Sequence, residues 1–144
     1  MLSDALTLDI ARAGDRPALT GLARSLHALN EAPLEPSLAA QIVPMLVVDG
    51  HRLRVARLGA SLAAYALWRE RRQSLYVRHF VVAPELRGVG VGRAFLGLLL
   101  GHWPLGKDVC LHARRPAARR FWLANGFRPA ADGLRLSRKP ENAR

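Results

Sequence analysis

The chain has 144 residues, of which half are hydrophobic and 23% charged. That much apolar surface offsets chain entropy and excludes a largely disordered polymer; a chain this long buries roughly 68–70% of its unfolded surface. Lys and Arg number 22 against 11 Asp and Glu, a net charge of +11, which favours an anionic partner but says nothing about fold.

Residues 5–12 alternate in part and predict a first strand. Asp15 is placed to cap a helix with Pro17 in its first turn. Leu19, Leu22, Ala23 and Leu26 give that helix its apolar stripe, and it ends near Asn30. A proline-broken loop over residues 31–37 leads to a second helical stretch over about 38–48, with Pro44 as a kink or boundary. From Asp49-Gly50 the period changes to two. Arg52–Val55, about 61–69 and 75–82 form a three-stranded meander, with Gly59 and the polar run 69–73 as its turns. The third of these strands is mostly apolar, hence central, and Pro84 ends it.

Residues 86–102 return to helical spacing, with Val91, Phe95, Leu98 and His102 on one face. Pro104-Leu105-Gly106 breaks the chain, and 109–113 is a short strand. Pro116 at the first position and Gly126 at the C-terminal cap bracket another helix, with Ala118, Phe121, Trp122 and Asn125 on one face. Residues 133–137 form a last strand, followed by a flexible tail over about 138–144. The order is β-α-α-β-β-β-α-β-α-β: an α/β fold, one domain over 1–144, with a mixed, mostly antiparallel sheet flanked by helices.

The segment Val82-Ala83-Pro84-Glu85-Leu86-Arg87-Gly88-Val89-Gly90-Val91-Gly92-Arg93 carries the most information. A strand stops at a proline and a glycine-rich turn opens a helix. Free N–H groups of the first helical turn then point outward at the positive end of the helix dipole, a ready site for phosphate. Arg87 and Arg93 add charge-assisted contacts. The run is not a Walker A loop, and Arg93 stands where a dinucleotide fingerprint needs its third glycine. It matches R-x-x-G-x-G at Arg87, Gly90 and Gly92.

With the flanking strand from Phe80, this segment resembles the acetyl-CoA motif of the GNAT acetyltransferase superfamily. The segment from Arg115 to Phe127, an aromatic-rich helix ending in Gly126-Phe127, resembles that family's second motif. The element order is also the family's, so the resemblance covers most of the chain.

The resemblance implies an N-acetyltransferase that moves an acetyl group directly from acetyl-CoA, as co-substrate, to a primary amine of a small molecule or peptide. It implies that Gly88, Val89, Gly90, Val91, Gly92 and Arg93 hold the pyrophosphate through backbone N–H groups. Phe80, Val81 and Val82 pair with the pantetheine arm, and an N–H near Val82 polarises the thioester carbonyl. Arg87, Arg115 and Trp122 complete the cofactor contacts. Three positions depart from the family. Arg78 stands where many members carry a glutamate base. Trp122 stands where a tyrosine acid is frequent, and Arg115 where asparagine is.

The remaining proton acceptors are His79, if the strand bulges and turns it inward, and Glu70 on the preceding strand. Each also reads as structural, His79 as a residue packed beside the sheet and Glu70 as a solvated charge among arginines. Arg69, Arg71, Arg72 and Arg78 border the acceptor side. Facing it, they select an acceptor with a carboxylate or phosphate; facing solvent, they are a charged edge. Glu31, in the loop over that side, is placed to hold a cationic amine. His112 beside the groove reads as structural.

The lone Cys110 excludes an intrachain disulfide and an all-cysteine metal site, and no metal is expected. No apolar run reaches the roughly 18 residues of a membrane span, and the acidic start is not that of a signal peptide, so a cytoplasmic protein is expected. A homodimer through a sheet edge or the late helices fits the family. Two other readings stand beside the enzyme. One is a CoA-binding module without catalysis; the other is a nucleic-acid-binding domain, ranked last because the basic residues form no stripe and aromatics are only 6%.

Overall fold

The computed structural model describes residues 5–29, 50–130 and 135–139. The predicted helix over 38–48, the loop 31–37 and Glu31 lie outside the described residues.

Strands β1 (Leu6–Asp9), β2 (His51–Leu58), β3 (Ser61–Glu70) and β4 (Ser74–Val82) form an antiparallel meander. Strand β5 (Asp108–His112) joins β4 in parallel. Strand β7 (Arg135–Arg138) pairs antiparallel with β5, and the two-residue β6 (Arg128–Pro129) with β7. The described sheet has seven strands in the order β1-β2-β3-β4-β5-β7-β6, mixed and mostly antiparallel as predicted. β6 was not foreseen, because two residues carry no periodicity. Arg138, assigned above to the tail, ends β7 opposite Val109.

Helix α1 (Arg16–Leu29) covers one face of the sheet and α2 (Val91–His102) the other, with α3 (Pro116–Ala124) beyond it. Leu22 and Ala23 of α1 pack on Val55, Tyr65, Leu67 and Val81. On the opposite face Val91, Phe95, Leu96 and Leu99 of α2 pack with Trp68, Val77, Trp122 and Phe127. The buried stripe of α2 therefore runs through Leu96 and Leu99, while Leu98 is only partly buried and His102 is exposed. The reason is the start of the helix. Pro84–Leu86 forms a separate 3-10 turn, Gly90 intervenes with φ 90°, and α2 begins only at Val91, which sets its rotation.

Asp15 does not cap α1. A 3-10 turn over Ala13–Asp15 precedes the helix, and the Asp15 carboxylate accepts from the Arg12 N–H at 2.7 Å. It also takes both terminal nitrogens of Arg57 at 2.7 and 2.8 Å, while Arg57 Nε donates to Asp9 at 2.8 Å. The Arg57 hydrogen bonds hold the Asp15 carboxyl down at about 2. The folded state thus keeps this carboxylate ionised where the unfolded chain binds a proton. Its stabilisation is complete above pH 4 and is lost as pH falls from about 4 towards about 2. Arg57→Gln is expected to cost about 1–3 kcal/mol at neutral pH and to flatten that acid limb. Denaturant titrations of both proteins from pH 6 to pH 2 check this; parallel curves would refute it.

Candidate functional site

The parallel pair β4–β5 holds only from Ser74↔Asp108 to Tyr76↔Cys110. Beyond it β4 runs on to Val82 and β5 to His112 without partnering each other, so the two strands part. A cleft of about 770 Å³ opens between them. β4 forms one wall, and Leu111 to Arg115 with Ala118, Phe121 and Trp122 of α3 form the other. Gly88, Gly90 and Gly92 close its mouth beside Leu26 of α1.

Two features of β4 decide what faces this cleft. The first is the ladder to β3. Ala83 N–H donates to Ala63 O at 2.8 Å, so alternation turns the backbone groups of Val82 and Phe80 away from β3, towards the cleft. The second is a bulge. Leu67 pairs with His79 and Trp68 with Val77, which leaves Arg78 as the extra residue. The bulge inverts the side-chain alternation: Leu75 and Val77 share a face with Phe80 and Val82, and His79 joins Val81 on the α1 face.

His79 is therefore turned inward, as the bulged reading requires, but into a hydrogen bond. Its Nδ1 lies 3.0 Å from the hydroxyl of fully buried Tyr65. Burial raises the Tyr65 pKa and keeps that hydroxyl protonated. A buried O–H must find an acceptor, and Nδ1 is the one in reach among the described residues. The neutral ring then carries its proton on Nε2, and His79 does not line the cleft. Glu70 lies at the opposite end of β3 from the glycine turn. Its carboxylate sits between Arg52 and Lys107, each at 3.6 Å.

His112 lines the cleft where the strands part, exposed, with Nδ1 2.8 Å from the Tyr76 hydroxyl. Tyr76 is the last residue of β4 paired with β5. From its neighbours in sequence His112 reads as structural; only its contact with Tyr76, 36 residues away, marks it. Arg78 also lines the cleft, whereas Arg69, Arg71 and Arg72 are exposed around the β3–β4 turn and do not.

At the mouth, Gly88, Gly90, Gly92, Arg87, Arg93 and Arg115 line the cleft as a group. Val89 is 54% exposed and Val91 is buried in the core, and neither side chain lines the cleft. A Cβ on Gly92 would meet Phe121 Cε1 at 3.2 Å, so a glycine here lets the first turn of α2 lie against α3. Arg87 Nε donates to Val82 O at 3.1 Å, which fixes the turn to the end of β4. Partial burial, and then the like charge of Arg115, pull the Arg87 guanidinium below its ordinary pKa. Two like-charged guanidiniums lining one mouth favour an anion between them. Trp122 is buried, with its ring 4.9 Å from Phe80 in an edge-to-face contact.

Five arginines, at 78, 87, 93, 114 and 115, line the cleft, and no carboxylate among the described residues does. No three His, Cys, Asp or Glu side chains among the described residues lie together as a metal site, and no described helix is long and apolar enough to cross a membrane.

The chain matches no family model and no curated protein. Its fold is found in solved structures. It superimposes on an acetyltransferase from Thermus thermophilus with a TM-score of 0.79 at 21% identity, over 96% of this chain and 99% of the other. An acetyltransferase of the GNAT family from Staphylococcus aureus gives 0.70 at 13% identity, over 95% and 100%. The PaiA N-acetyltransferase of Thermoplasma acidophilum, in complex with coenzyme A, gives 0.66 at 12% identity, over 93% and 98%. The architecture is thus the GNAT fold expected from the motif segments.

Proposed function

We propose that the chain, as one domain, is a GNAT-family N-acetyltransferase that uses acetyl-CoA and acts on a primary amine. The observation that carries this reading is the cationic cleft at the parting of β4 and β5, closed at its mouth by a glycine turn. The cleft fits coenzyme A on three counts. Arg87, Arg93 and Arg115 meet phosphates at the mouth. The outward backbone of Phe80 and Val82 offers an extended amide arm the hydrogen bonds of a missing strand. The apolar wall of Ala118, Phe121 and Trp122 receives methylene groups.

Acetyl-CoA supplies the activated acyl group; the chain supplies the rest. A Val82 N–H aimed into the cleft stabilises negative charge on the thioester oxygen, a role worth roughly 3–4 kcal/mol. His112 replaces His79 and Glu70 as the proton acceptor. In the tautomer that donates Nδ1–H to Tyr76 Oη, its Nε2 lone pair is left for the amine proton, relayed through water along the cleft. Trp122 has no acidic proton to give, so the leaving thiolate takes its proton from solvent.

Thermal unfolding with and without acetyl-CoA tests the reading, with ATP at equal concentration as a control for generic anion attraction. At a hundred times its Kd the ligand stabilises by about 2.7 kcal/mol, a shift of roughly 5–10 °C. A shift with acetyl-CoA and none with ATP is expected. Equal shifts, or none, would remove the basis of the assignment; a shift without turnover on any amine would leave a CoA-binding module.

A further inference from the structure

We infer that the acceptor amine also carries an anionic group, and that Arg78 receives it; this rests on the acetyl-transfer reading above. The bulge ejects Arg78 from the β4 ladder, so its side chain is neither in a core nor paired across to β3. Exposed, it lines the cleft two residues beyond the last β4–β5 pair, Tyr76↔Cys110, and so in register is level with His112, also two residues beyond it. Val82, which meets the glycine turn through Arg87, lies four residues further along β4, about 13 Å at the rise of a strand. Arg78 is thereby separated from the arginines at the mouth, where phosphates bind.

Away from the cleft, several basic residues find acidic partners in the chain. Arg57 takes Asp9 and Asp15, Arg52 and Lys107 share Glu70, and Lys139 takes Asp108. Arg78 has no acidic partner among the described residues, and no described carboxylate enters its cleft. A guanidinium in the same cleft as the proton acceptor repels a purely cationic amine such as a polyamine. It attracts an amine that brings its own carboxylate or phosphoryl group, through a paired, charge-assisted hydrogen bond.

The test measures CoA release from acetyl-CoA with matched amines: glycine, β-alanine, glutamate and phosphoethanolamine against glycinamide, β-alaninamide and ethanolamine. The anionic members are expected to have the higher kcat/KM, and the carboxylate and phosphoryl arms separate the two chemistries. Arg78→Gln should raise KM for the preferred anionic amine by about 10- to 100-fold with little change in kcat, and erase the preference. Arg78→Lys should recover part of it, since the charge survives without the planar fork. Neutral amines turned over as well as anionic ones, no transfer to any anionic amine by a protein that binds acetyl-CoA, or an unchanged KM in Arg78→Gln would each overturn the inference. Loss of acetyl-CoA binding itself would instead overturn the reading beneath it, and the thermal shift distinguishes the two failures.

Discussion

His112→Ala is expected to lower kcat by about 10²- to 10⁴-fold at neutral pH, the range of a positioned general base. His79→Ala should cost far less, because its Nδ1 is taken by the Tyr65 hydroxyl and its ring does not line the cleft. The pH dependence sharpens the comparison. An alkyl ammonium has a pKa of about 10, so the fraction of free amine rises with pH whatever the enzyme does. The gap between wild type and His112→Ala should therefore narrow as pH rises towards that value, while acetyl-CoA binding stays intact. Tyr76→Phe removes the hydroxyl that lies 2.8 Å from Nδ1 and orients the ring, and should give an intermediate loss in kcat with little change in KM. A His112→Ala enzyme within threefold of wild type at pH 7 would sink the assignment of the base.

Gly90→Val is expected to weaken acetyl-CoA binding by about 10- to 100-fold, since a β-branched residue held in the left-handed region costs roughly 1–3 kcal/mol. Gly90 has φ 90° and directly precedes α2, so its conformation sets how the first N–H groups of the helix face the cleft. A Cβ at this position meets no protein atom within 4 Å. The penalty is therefore conformational, with the added bulk facing a ligand and not the core. The unliganded melting temperature should fall by only a few degrees while the ligand-induced shift falls to half or less. Titration calorimetry with acetyl-CoA measures the effect directly, and an unaltered Kd would show that the glycine turn is not the phosphate cradle.

The local chemistry of the chain was legible along its length. Alternation marked β2 to β4, and Pro116 and Gly126 bracketed α3 to within two residues. The strand–turn–helix from Phe80 to Arg93 was legible as well, because glycine placement and helix polarity act between neighbours in sequence. Where the reading slipped, the cause was non-local. The stripe of α2 came out rotated because a separate 3-10 turn and Gly90 delay the helix to Val91. Asp15 looked like a helix cap because its real partner, Arg57, is 42 residues away.

The site divides in the same way. The amino-acid sequence by itself determined the glycine turn, the charge around it and the fold that carries it. Tertiary structure alone decided that Arg78 is the bulged residue, that His79 turns to Tyr65, and that His112 meets Tyr76 in the cleft. A strand's side chains have a period of two, so one extra residue reverses which of them face the site. That extra residue is set by pairing with a separate strand, not by the residues around it.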